Sequence, residues 1–150
     1  MNNKDNFKVH GAVTLVLQKA DGGAIASRHN NMVLNGGIDF LCDAFGASSR
    51  PDIMSHIAVG TGTTEVKATD TALVTELARK QCTYAHTKGS TKLTVQTTFN
   101  AGEATGAITE AGIANASTAG TFFDRVVFPV INKGASDVLT VTFEITLTRA

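Results

Sequence analysis

The chain has 150 residues and a mass of 15.7 kDa, a size that suits one domain and leaves little room for a second core. Thirteen basic and thirteen acidic residues cancel, which argues against a nucleic-acid-binding face, and 43% hydrophobic content argues against disorder. With 21 threonines, 14 glycines, two prolines, one tyrosine and no tryptophan, the composition favours pleated strands joined by glycine turns.

In chain order, the first candidate element is a strand over Val9–Leu17, with Val9, Gly11, Val13, Leu15 and Leu17 on one face. Ala20-Asp21-Gly22-Gly23 turns it into a return strand, Ala24–Val33. Between residues 35 and 45, Ile38, Leu41, Cys42 and Phe45 recur at helical spacing, so one short amphipathic helix is expected with those four side chains inward. Asn35 or Gly36-Gly37 would start it and Gly46 would end it. A short strand, Ile53–Val59, runs into Gly60-Thr61-Gly62-Thr63-Thr64. Glu65–Leu77 is ambiguous, with Thr69-Asp70-Thr71 placed to cap a helical turn.

Further strands are expected over Ala78–Thr87, Thr91–Phe99, Ile108–Ala114 and Thr121–Val130, where Pro129 marks an edge or an exit from the sheet. Asn132–Asp137 is the last turn. Val138–Thr148 then alternates strictly, with Leu139, Val141, Phe143, Ile145 and Leu147 between threonines and Glu144. The pattern predicts a mainly β, antiparallel β-sandwich, jelly-roll or immunoglobulin-like, of about seven or eight strands, with odd-numbered residues inward in its core strands. Residues 9–150 form the single domain and residues 1–8 a polar N-terminal arm.

The motifs carry little chemistry. Gly60–Thr64 has the glycines of a phosphate loop but no lysine at the Walker spacing, and Glu65 stands where a dinucleotide loop has its third glycine. His10, His29, His56 and His86 are scattered, and Asp39 and Asp43 read as the wet side of the helix. Cys42 and Cys82 make no metal set and are expected as half-buried, reduced thiols. Glu110 stands in a small, apolar stretch, where it could be a raised-pKa acid, accept backbone N–H groups, or pair with Arg125 or Arg79; the structural roles are favoured, because no nucleophile accompanies it. No catalytic residue, metal ligand or cofactor is expected. The opening residues lack a signal-peptide core, and no apolar run is long enough to span a bilayer, so synthesis in a cytoplasm without membrane insertion is expected.

Two blocks of the chain resemble small virion proteins of tailed bacteriophages. The first is Ser55–Thr64 with Ala68–Leu73 and Glu76–Arg79; the second is Gly106–Ile113 with Gly120–Phe122, Arg125–Pro129 and Lys133–Thr142. The likeness covers roughly residues 30–147 and lies in the order and spacing of simple words. It implies a non-enzymatic, oligomeric virion protein of the tail, collar, fibre-attachment or head-decoration type, made in the bacterial host. Its implied partners are copies of itself and other virion proteins, such as tail, neck or major capsid protein, with neither nucleic acid nor membrane. Candidate assembly contacts are Asn2, Asn3, Lys4, Asp5 and Phe7 in the arm, Thr61, Thr63 and Thr64 in the glycine loop, and Asn132 and Lys133 in the last turn. The alternative is a carbohydrate- or ligand-binding β-sandwich, disfavoured for sugars by the absence of tryptophan and the single Tyr84.

Overall fold

Alternating apolar and hydroxyl side chains let a strand bury one face and hydrate the other, and the chain follows that rule in several of its strands. The computed structural model describes residues 6–149. Its elements are β1 (Phe7–Gln18), β2 (Ala24–Val33), α1 (Asn35–Gly46), β3 (His56–Gly60), β4 (Glu76–Gln81), β5 (Thr83–His86), β6 (Lys92–Phe99), β7 (Gly106–Ala114), β8 (Asp124–Lys133) and β9 (Val138–Arg149). All pairings are antiparallel, in the order β4-β3-β7-β8-β2-β1-β9-β6-β5.

The order reads as two layers. β1 pairs along its whole length with β9, from Phe7↔Arg149 to Gln18↔Val138, and this pair anchors the layer β5-β6-β9-β1-β2. The other layer is β4-β3-β7-β8. One seam between them, β2 to β8, is paired only at Met32↔Arg125 and Val33↔Asp124. At the other side β4 and β5 are consecutive, and β4 is tied to β6 by Lys80 Nζ donating to Thr98 O at 2.9 Å and Thr97 Oγ1 donating to Gln81 O at 2.8 Å. The fold is therefore a sandwich whose open edges nearly meet.

Between the layers lie Val13, Leu15, Leu17, Val95, Phe99, Leu139, Val141, Phe143 and Ile145, all odd-numbered, packed on Ile57, Ile108, Ile113, Val126 and Phe128. Phe143 is fully buried between Val13 and Val95 of its neighbouring strands. Phe143→Ala is expected to cost about 3–4 kcal/mol in chemical denaturation, against under about 1 for Thr142→Ala on the outer face. Equal costs would refute this register. β7 departs from alternation: every residue from Ile108 to Ala114 is buried, because its second face is roofed by the segments before β4 and before β8.

Several expected boundaries move. The strand expected over Ala78–Thr87 divides at Cys82, whose N–H donates to Ser55 O at 2.9 Å as the chain crosses from one layer to the other. That division raises the count from seven or eight to nine. The strand expected from Ile53 begins at His56. Thr69-Asp70-Thr71 caps no helix; Asp70 instead closes a turn, its carboxylate accepting the Lys67 N–H at 2.9 Å. Pro129 lies in an interior strand, but beyond the short stretch of β8 that pairs with β2 and within its register shift against β7. Asn132 and Lys133 end β8 rather than form the last turn, and Phe7 and Lys8 belong to β1 rather than to an arm.

The helix forms where expected but presents a different face. A Cβ on Gly37 would lie 2.2 Å from the Phe123 carbonyl oxygen, so the helix backbone rests directly on the strand entering β8. That close approach fixes the rotation. Phe40 and Leu41 pack on the core, whereas Ile38 is 45% and Phe45 91% exposed, and Cys42 is exposed as well. Of the four side chains expected inward, only Leu41 packs there. Cys82 is half-buried, and burial pushes its thiol pKa up.

Candidate functional site

Glu110 occupies the roofed face of β7 with no exposed surface, and Arg125 of β8 is equally buried beside it. The pairing Glu110↔Val127 explains the meeting: Arg125 is two residues from Val127 and so shares the face of Glu110. Glu110 Oε1 accepts N–H groups from Gly62 at 3.0 Å and Thr75 at 2.8 Å. Oε2 accepts Val74 N–H at 3.0 Å and Arg125 Nε at 3.0 Å, with Arg125 Nη2 at 2.9 Å. The guanidinium also donates through Nη1 to Asp70 Oδ2 and through Nη2 to Thr64 O, each at 2.9 Å.

Two glycines make this network possible. A Cβ on Gly62 would lie 2.5 Å from Glu110 Oε1 and 2.7 Å from Val74 Cβ; one on Gly60 would lie 2.4 Å from Thr75 O. The glycine loop brings its backbone N–H close to an anion as a phosphate loop does, but the anion is the chain's own Glu110. Thr109 Oγ1 adds a bond to Gly62 O at 2.7 Å. With both carboxylate oxygens fully engaged, Glu110 has no free acceptor for proton transfer, and the arrangement works as a clamp on residues 61–75.

A second clamp lies nearby. Arg79 pairs with Glu76, its Nη2 2.7 Å from Oε2, and donates through Nη1 to the carbonyls of Ala116 and Ala119 at 2.8 Å. Its guanidinium stands 4.9 Å above the Phe122 ring. Of the two arginines the sequence offers to Glu110, the structure pairs Arg125, and Arg79 holds the loop that follows β7.

The clamps leave the expected assembly contacts in different places. Thr63 and Thr64 are exposed on the pinned loop, and Thr61 is half-buried beneath them. Asn132 is exposed, but Lys133 is buried and donates through Nζ to Asn100 O at 3.0 Å, so it is a core lysine rather than a contact. Burial pushes its pKa down. Phe7 is 68% exposed at the opposite end of β1 from the Gly134–Asp137 turn, which is fixed to Ala20 by Asp137 Oδ1 at 3.0 Å. Those two ends lie roughly 35 Å apart at strand rise. Asn2, Asn3, Lys4 and Asp5 lie outside the described residues.

At the Phe7 end, sequence reasoning missed a cavity of about 370 Å³ beneath α1, lined by apolar side chains that include Phe40, Leu41, Met54, Leu93, Ile145 and Leu147. Ile53 and Tyr84, 75% and 59% exposed, also line it. Most of its wall reads as ordinary strand or helix core, so no local motif signals it.

Elsewhere three of the histidines have local partners. His29 stacks on Phe128 with centroids 5.5 Å apart, His56 Nδ1 meets Ser55 Oγ at 2.8 Å, and His86 Nε2 meets Ser90 O at 3.1 Å. Asp39 and Asp43 are exposed on α1. Among the described residues no three His, Cys, Asp or Glu side chains group as metal ligands, and no helix is long and apolar enough to cross a membrane. No described protein family, curated protein or solved structure matches the chain.

Proposed function

We propose that the chain is a repeated, non-enzymatic structural subunit of a tailed-bacteriophage virion, at the tail, collar or fibre attachment or on the head surface. The observation that carries this reading is the convergence of its phage-like words. Gly60 and Gly62, Asp70, Glu110 and Arg125 come from separate stretches that resemble such virion proteins, and they meet in one buried clamp. Their meeting in one clamp supports reading the likeness as that of one physical unit. A pinned loop carrying exposed Thr63 and Thr64 suits a subunit held by many repeated contacts.

The test is the composition of purified particles. Quantitative mass spectrometry is expected to find the protein at a fixed copy number, and Thr63→Arg with Thr64→Arg to lower that number while leaving the melting temperature of the free protein unchanged. Absence of the protein from purified particles overturns the reading.

A ligand-binding module is the second reading, and the apolar cavity is the observation that favours it. The lining suits an apolar molecule better than a sugar, which needs polar groups around a stacking ring.

A further inference from the structure

Helix α1 carries two apolar stripes, and the domain uses one. Phe40 and Leu41 turn inward and roof the cavity, while Ile38, Cys42 and Phe45, spaced by four and three residues, face solvent. Phe45 is 91% exposed, the most protruding large apolar side chain among the described residues. The same molecule thus holds an apolar hole and an exposed aromatic knob. An apolar cavity of roughly 150 Å³ already accepts a benzene ring, and this one has about 370 Å³.

We propose that Phe45 of one copy seats in the cavity beneath α1 of a second copy, an inference that rests on reading the chain as a repeated subunit. The occupant is a copy of this chain because the chain itself displays the kind of group the hole takes, and no described residue covers it. Equal numbers of acidic and basic residues leave no net repulsion between copies. Knob and hole are different surfaces, so two copies either exchange knobs in a two-fold pair or join head-to-tail, each added copy then leaving one knob and one hole free. Repetition closes a ring or extends a stack.

Sedimentation and diffusion measurements on the full chain up to about 1 mM test this, a concentration at which even a millimolar contact is substantially formed. Wild type is expected to associate as concentration rises. Phe45→Ala, which removes only the knob, and Leu93→Trp, which fills the hole, are each expected to weaken association about tenfold or more. Met54→Trp, on another wall, replaces Leu93→Trp if that variant fails to fold. An equimolar mixture of knobless and hole-filled chains is expected to form pairs and nothing larger, since one intact contact remains available.

Monomeric wild type at about 1 mM overturns the proposal, as does association unchanged by Phe45→Ala, or a mixture that stays monomeric while wild type associates. Binding of pyrene at one per chain, indifferent to chain concentration and to Phe45→Ala, assigns the cavity to a small apolar ligand instead. These outcomes are read in free protein, so they stand apart from the particle composition on which the subunit reading depends.

Discussion

Glu110→Ala is expected to destabilise the domain by about 5 kcal/mol, the top of the range for breaking a buried ion pair. The substitution leaves the Arg125 charge buried with Asp70 as its remaining carboxylate, and it takes the shared acceptor from the N–H groups of Gly62, Val74 and Thr75. Each orphaned donor adds its own desolvation cost. Arg125→Met is expected to be nearly as damaging, since Glu110 then keeps its backbone donors but loses its cation. Combining Arg125→Met with Glu110→Ala removes both charges, and the pair should cost clearly less than the two singles added together. Denaturant unfolding gives the totals. Hydrogen exchange at Val74 and Thr75 should quicken in either single variant before the core opens. Single variants within about 1 kcal/mol of wild type would mean that packing, not the clamp, holds residues 61–75.

The strands were readable because layer packing imposes a period of two, and Val9–Leu17 and Leu139–Leu147 obey it on the expected face. β2 runs over the expected Ala24–Val33, set by the turn at Asp21-Gly22-Gly23. β7 fails to alternate for a tertiary reason: a strand roofed on both faces needs small or apolar residues throughout, and only the fold reveals the roof. The helix shows a different limit. Periodicity can establish that Ile38, Leu41, Cys42 and Phe45 lie on adjacent rows but cannot say which row docks. Gly37 decides that by letting its backbone meet the Phe123 carbonyl, a contact far away in sequence.

The clamp was half legible. Glu110 stands out as a lone acid in an apolar stretch, but Gly60–Thr64 reads as a glycine-rich connection whose phosphate-loop likeness fails for want of a lysine, and nothing local joins the two across forty-eight residues. The strand register joins them: Gly60 faces Glu110 across β3 and β7, and Val127 faces Glu110 across β7 and β8. Lys133 departs from its expected place as a contact for the complementary reason. A lysine beside a glycine turn reads as solvated, but β8 extends to include it and delivers its ammonium to the Asn100 carbonyl.

The seam between β2 and β8 should make stability fall as pH rises, against the usual behaviour of carboxylates. Asp124 is fully buried there; Oδ1 accepts the Ile113 N–H at 2.9 Å and Oδ2 meets the Asn31 side-chain amide. Burial pushes its pKa up to about 8, from 3.8, against the opposing pull of those two hydrogen bonds. The native state therefore keeps a proton that the unfolded chain releases near pH 4. The associated stability is full below that pH and is lost as pH climbs towards 8, in total on the order of 5 kcal/mol. Asp137 and Glu103 act in the opposite sense. The Gly134 N–H holds the first low and Lys80 the second, so their contributions are present at neutral pH and vanish in acid. The two trends place maximum stability in the mildly acidic range. Asn31 Oδ1 is buried without a partner, and turning that amide over offers it to a proton on Asp124. Asp124→Asn supplies the same donor permanently. The melting temperature of wild type is expected to drop steadily from about pH 5 to about pH 9, whereas that of Asp124→Asn stays level and lies above wild type at the alkaline end. Amide exchange at Met32 and Val33, the only β2 residues paired to β8, should quicken over the same interval in wild type alone. Parallel curves for the two proteins would show that Asp124 is ionised in the seam throughout.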